Sequence, residues 1–304
     1  MWFKNLALFR FSEPFNPSAD ELENELAKLS FRPCGSLELS STGWVPPLHP
    51  GGDQLVHAAN GFFMICALKE EKVLPPAVVN EIVADRIAEI EEKQARPVRR
   101  KEREALRDEV TFELLPQALS FSRKTYAYID PNGGWFVVDS GSSGATDEYT
   151  ALLRRTLGSL PVTPPKTRDN PVRVLTRWLS EKNIPSDITL ENECDLRDAE
   201  HEKNVVRCKG QDLFSKEIQA HLEAGKECVK IALTWSDRFT FTIDEDLSIK
   251  RLRFLDLVQE QADEIDTQEK SDLFDAQFAI MTLELAGFLP RLLELFGGEA
   301  AQND

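Results

Sequence analysis

The stretch from Val229 to Phe254 constrains the fold most, because its apolar residues recur at every second position. Val229, Ile231, Leu233 and Trp235 alternate, Ser236-Asp237 offers a turn, and Phe239, Phe241 and Ile243 alternate back. A period of two belongs to strands with one buried face, so the segment predicts an antiparallel hairpin. Leu247 and Ile249 continue it, and Leu252 and Phe254 follow with a one-residue change of phase, which predicts a bulge. Strict alternation sets Lys226, Cys228 and Lys230 on the solvated face opposite Val229, Ile231 and Leu233. Arg251 and Arg253 stand likewise opposite Leu252 and Phe254.

Other segments mix strand and helix. Phe3 to Phe11 alternates, Pro14 and Pro17 break it, and Ser18 then caps a helix carrying Leu22, Leu26 and Leu29. Phe62 to Leu68 reads as a buried strand bounded by Lys69-Glu70-Glu71-Lys72. Val79, Val83, Ile87 and Ile90, then Leu106, Val110 and Leu114, form narrow stripes on charged helices broken at Pro97. Two such helices predict a hairpin projecting from the body. Tyr126 to Val138 is a strand pair joined by Asp130-Pro131-Asn132-Gly133-Gly134. A helix opened by Thr146 runs to about Gly158, and Pro161 to Pro171 reads as a linker. Phe274, Phe278, Met281, Leu285, Phe288 and Leu292 recur at helical spacing, with Gly297-Gly298 as a stop. This stripe predicts a surface that needs a partner, with Phe288 and Leu292 as contacts. The class is therefore α+β with mixed antiparallel sheets and a projecting helical hairpin. Three parts are expected: 1–75 with 120–162, the hairpin 76–119, and 163–304.

Charge argues at first against nucleic acid, since the formal net charge is −16. It is, however, segregated. Lys93, Arg96, Arg99, Arg100, Lys101, Arg103 and Arg107 crowd one segment, and Arg154, Arg155, Lys166, Arg168, Arg173 and Arg177 another. Residues 256–304 are strongly acidic. Cys34, Cys66, Cys194, Cys208 and Cys228 are odd in number without a C-x-x-C pair, and His49, His57, His201 and His221 lack ligand spacing. Neither metal nor cofactor is expected. No apolar run approaches the ~20 residues of a bilayer span, and the N-terminus lacks a signal-peptide pattern. A cytoplasmic protein without membrane contact is expected.

Catalytic signatures are sparse. Gly141-Ser142-Ser143-Gly144 precedes a helix but has neither the following lysine of a P-loop nor the last glycine of a nucleophile elbow. Asp244-Glu245-Asp246 reads as a turn. No enzyme is expected; a hydrolase using residues 141–144 ranks last.

Several less generic words stand in order along the chain: Trp2-Phe3-Lys4-Asn5-Leu6, Pro33-Cys34-Gly35-Ser36, Gly43-Trp44-Val45-Pro46-Pro47, Lys69 to Pro75, Gly158-Ser159-Leu160-Pro161-Val162, Glu223-Ala224-Gly225-Lys226, Lys250-Arg251-Leu252-Arg253-Phe254 and Phe274-Asp275-Ala276. Together they resemble the RdgC family over roughly residues 1–299. The resemblance implies a horseshoe-shaped monomer that closes as a ring-shaped homodimer around double-stranded DNA, with single-stranded DNA as a further ligand. It implies sequence-nonspecific binding on the nucleoid, antagonism of RecA-mediated recombination and a role at replication forks. It places the loop Lys209-Gly210-Gln211 near DNA and makes the hairpin one ring contact. Leu115, Leu119 and Phe121 then follow as dimer contacts, with Leu119 where relatives carry an aromatic. The DNA-binding candidates are Lys209, Gln211, Lys226, Lys230, Arg251 and Arg253. The alternative is an acidic interaction partner of a recombination or replication protein, with incidental DNA contact.

Overall fold

A computed structural model describes residues 1–48, 52–263 and 269–300; His49 lies outside them. The first half runs β1 (Ala7–Phe11), α1 (Ala19–Ala27), β2 (Ser40–Val45), β3 (Val56–Ala59), β4 (Phe62–Lys72), α2 (Pro76–Gln94), α3 (Arg100–Leu114), β5 (Ser120–Asp130), β6 (Trp135–Val138), α4 (Ser143–Leu157) and β7 (Val162–Thr163). The second runs α5 (Pro171–Glu181), β8 (Ile188–Asp198), β9 (Val205–Lys209), α6 (Lys216–Glu223), β10 (Lys226–Trp235), β11 (Phe239–Asp244), β12 (Ile249–Phe254), α7 (Asp256–Asp263) and α8 (Lys270–Leu295).

The strands form two antiparallel sheets. One has the order β2-β4-β5-β6-β1-β7 with β3 beside β4; the other is β12-β11-β10-β8-β9. Local chemistry explains many boundaries. Ser18 and Glu21 close a capping box on α1, and Asn170 caps α5 with Pro171 in its first turn. The β10–β11 turn puts Ser236 and Asp237 at φ 45° and 55°, as a tight hairpin of this hand requires. Helix α4 begins three residues earlier than Thr146 suggests, because the Ser142 hydroxyl accepts from the Ala145 N–H. Strand β4 also outlasts its apolar run: Lys69 to Lys72 pair with Arg123 to Ser120. Alternation of apolar residues cannot signal such a polar extension.

Helix α8 is apolar around much of its circumference and is buried within the chain. Phe288 packs on Trp235, Phe239 and Phe241, while Phe274 and Phe278 meet His57 on β3. The Phe3 N–H meets Met281 Sδ at 3.2 Å. Phe288 and Leu292 therefore face the core, correcting the expectation that they contact a second subunit. A 4-3 stripe has the same form whether a partner or the chain's own sheet covers it. One core runs from Phe3, Leu6 and Tyr128 through α8 to β10, β11 and β12. The other face of the first sheet packs on α1 and α4 through Trp44, Phe136 and Tyr149.

The two sheets are also joined along the backbone. Leu6 and Ile249 exchange hydrogen bonds of 2.7 and 3.2 Å, and the Leu252 N–H donates to Lys4 O. Pro161 to Pro171 is tied down: Arg168 and Asp169 donate from their N–H groups to Gly298 and Phe296 carbonyls. Gly297 has φ +82°, and a Cβ there would come within 2.8 Å of the Asp169 carboxylate, so glycine fits on both counts. Helices α2 and α3 share a small core of Val79, Val83 and Val110, separate from the others, as expected of a projecting hairpin. No helix among the described residues is long and apolar enough to cross a membrane.

Candidate nucleic-acid interface

One face of the second sheet packs on α5, α6 and α8, and the other is polar. Two irregularities decide which cations reach the polar face. In β10, Cys228 pairs with Leu196 and Lys230 with Asp195, so Val229 is an extra residue. Before it, Lys226 and Cys228 point inward; after it, Ile231 and Leu233 do, and Cys228, Ile231 and Leu233 all lie in the core. Lys226 and Lys230 therefore occupy opposite faces, which corrects the expectation from strict alternation. Lys226 is 9% exposed, its ammonium 3.8 Å from Asp198 and without a hydrogen-bond partner. It is poorly placed to meet a phosphate. In β12, the register against β11 shifts between Thr240–Arg253 and Thr242–Lys250, and Arg251 occupies the break with φ +55°.

The polar face gathers Lys209, Lys230, Arg251 and Arg253 from β9, β10 and β12. It also holds Arg207 and Lys250, which sequence reasoning missed. Arg207 sits two positions from Lys209, which a strand of period two places on the same face. The Arg251 guanidinium crosses the sheet, donating from Nε to Thr242 Oγ1 at 3.1 Å and from Nη1 to Glu193 Oε2 at 2.8 Å. Thr242 and its cross-strand neighbour Ala232 are small enough to leave that path open.

Carboxylates lie among these cations. Asp195 Oδ2 is 3.6 Å from Lys230 Nζ and 3.9 Å from Arg207 Nε, and Glu193 Oε1 is 3.9 Å from Lys209 Nζ. The Arg251 hydrogen bond holds the Glu193 carboxyl below its ordinary pKa, so it is anionic at neutral pH. Lys250 pairs with Asp244 at 3.2 Å in the β11–β12 turn, where Asp244 also accepts from the Asp246 and Ser248 N–H groups. Beyond β9, Gly210 at φ +68° turns the chain and donates to Asn192 O, leaving Gln211 half-buried beside the face.

Other candidates lie elsewhere. Within the hairpin, Arg96 pairs with Glu102 and Arg100 with Glu104. Leu115 is buried, so it supports the base of the hairpin and offers no contact surface. Leu119, 81% exposed, and Phe121 are accessible beside Val73, whose N–H donates to Leu119 O. Cys194, Cys208 and Cys228 lie in the core, and burial pushes the Cys228 thiol up to about 12. Among the described residues, no group of three or more His, Cys, Asp or Glu could hold a metal ion.

A sequence profile described as "Putative exonuclease, RdgC" matches residues 1–299. The chain belongs to the RdgC family. It is 44% identical over 299 residues to the "Recombination-associated protein RdgC" of Aeromonas hydrophila subsp. hydrophila, covering 98% of this chain and 99% of that one. Proteins of the same name from Tolumonas auensis and Yersinia pestis are 44% identical over 302 residues and 42% over 301, covering 99% of this chain and 100% and 99% of theirs. The relatives' names associate the family with recombination and carry no enzymatic term, whereas the profile's description names an exonuclease.

Proposed function

We propose that this RdgC protein binds duplex DNA without reading sequence, through the polar face of its C-terminal sheet. The observation that carries the reading is the convergence of Arg207, Lys209, Lys230, Arg251 and Arg253 on one face. Phosphate contacts need cations on a surface and no base-reading helix. The reading is of binding without bond cleavage: the carboxylates Glu193 and Asp195 of this face are already engaged with cations. Lys226 is excluded from the contact set.

The ring is part of the same proposal. The exposed apolar side chains near the hairpin base, Leu119 and Phe121 with Val73, Val78 and Phe112, are assigned to one contact between two copies. The second contact uses neither Phe288 nor Leu292. A ring turns its cationic faces inward and leaves the acidic surface outside, which reconciles DNA binding with the net charge of −16. A protein that covers duplex in this way would reside on the nucleoid and limit access of RecA. In titrations of the full chain, affinities for unrelated duplexes of equal length should agree within about threefold and fall steeply with salt. Light scattering should give a dimer. A strong preference for one sequence, or a monomer at micromolar concentration, would count against the reading.

A further inference from the structure

Glu193 and Asp195 stand where phosphate oxygens would have to come. Each faces two cations, one carboxylate oxygen of Asp195 serving both Lys230 and Arg207. The acids lie low on the face, 18% and 14% exposed, while Arg207, Lys209 and Arg251 rise above them at 74%, 67% and 52%. Three of the four pairs are 3.6–3.9 Å long, which leaves the donors of both lysines and of Arg207 largely unspent. Pairs this long, with Arg207 and Lys209 reaching solvent, are weak and readily exchanged.

We propose that Glu193 and Asp195 are built-in counter-ions that compete with DNA phosphate for these cations, lowering duplex affinity and flattening its salt dependence. The inference rests on the reading of this face as the DNA interface. When a phosphate arrives, each cation turns from a carboxylate that stays attached to the protein. Each contact still frees a cation condensed on the DNA, but the carboxylate left without its partner draws a cation back, so fewer ions are freed on balance than contacts are made, and that carboxylate repels the phosphate. The result is a protein held loosely enough to let go of duplex it has no sequence reason to prefer.

The test compares E193Q/D195N with wild type, as full chains, titrated with a random-sequence duplex at several salt concentrations. Both substitutions keep size and one acceptor oxygen while removing the charge, and thermal melting checks the fold. The double variant is expected to bind roughly three- to tenfold more tightly at low salt, with a log–log salt slope steeper by about one. Should it fail to fold, D195N alone gives the same readout with a smaller gain. Unchanged or weaker binding by a folded variant, against clear binding by wild type, overturns this proposal and leaves the interface standing. Absence of wild-type binding at every salt concentration overturns the interface, and this inference with it.

Discussion

Val229 is the extra residue that turns Lys226 toward the interior and Lys230 toward solvent. Lys226 lies near Asp198, which also accepts from the Glu200 and His201 N–H groups and so does not depend on the lysine. Replacing a buried cation with an apolar side chain removes its desolvation cost, and does little harm where the remaining partner keeps other donors. Lys226→Met should therefore leave duplex affinity within about twofold of wild type and raise or preserve stability, since the loosely paired ammonium contributes little to either. Titration and urea unfolding check this; a large loss of affinity with an intact fold would return Lys226 to the interface. The sequence signalled the phase change at Leu252 and Phe254 because two clear registers flank it. The bulge at Val229 stayed hidden because Cys228 and Val229 are both apolar enough for either face. Arg251 and Arg253 were readable on the solvated side, and Arg207 was within reach of the same argument.

At the scale of elements, α8 and the hairpin carry similar-looking stripes with different fates. The α8 stripe is covered by β3, β10 and β11 within the chain. The hairpin has a small core of its own around Val79, Val83 and Val110, with Leu115 buried at its base and accessible apolar side chains nearby. Periodicity found both elements, yet spacing alone does not say what lies opposite a stripe. The consequence separates stability from assembly. Phe288→Ala should cost about 3–5 kcal/mol of unfolding free energy by opening a cavity among Trp235, Phe239 and Phe241. Leu119→Ser should change stability by no more than about 0.5 kcal/mol, as for an exposed side chain, while weakening the dimer. Denaturant unfolding and light scattering on both variants decide the matter. A Phe288→Ala protein of unchanged stability that becomes monomeric would restore the α8 stripe as an intersubunit surface.

At the scale of the whole molecule, the chain reconciles an acidic composition with a cationic face by segregating its charge. Composition could not reveal this, because a net charge does not say which side chains share a surface. The hairpin's basic run stands out in sequence, yet several of its cations are paired with glutamates of the same hairpin. The family words run along the whole chain, whereas the cations of the polar face are scattered over β9, β10 and β12. The most direct test sets these two basic regions against each other. One variant carries Lys209→Ala, Lys230→Ala and Arg253→Ala, and the other Arg99→Ala, Arg100→Ala and Lys101→Ala; both are titrated with duplex across a range of salt. Each lost phosphate contact should reduce the log–log salt slope by about 0.9. The sheet variant should lose affinity and flatten by about one to two such steps, since Glu193 and Asp195 already offset part of the release at Lys209 and Lys230, with the hairpin variant close to wild type. The reverse pattern, a flattened hairpin variant beside an unchanged sheet variant, would contradict the account and move the DNA to the hairpin.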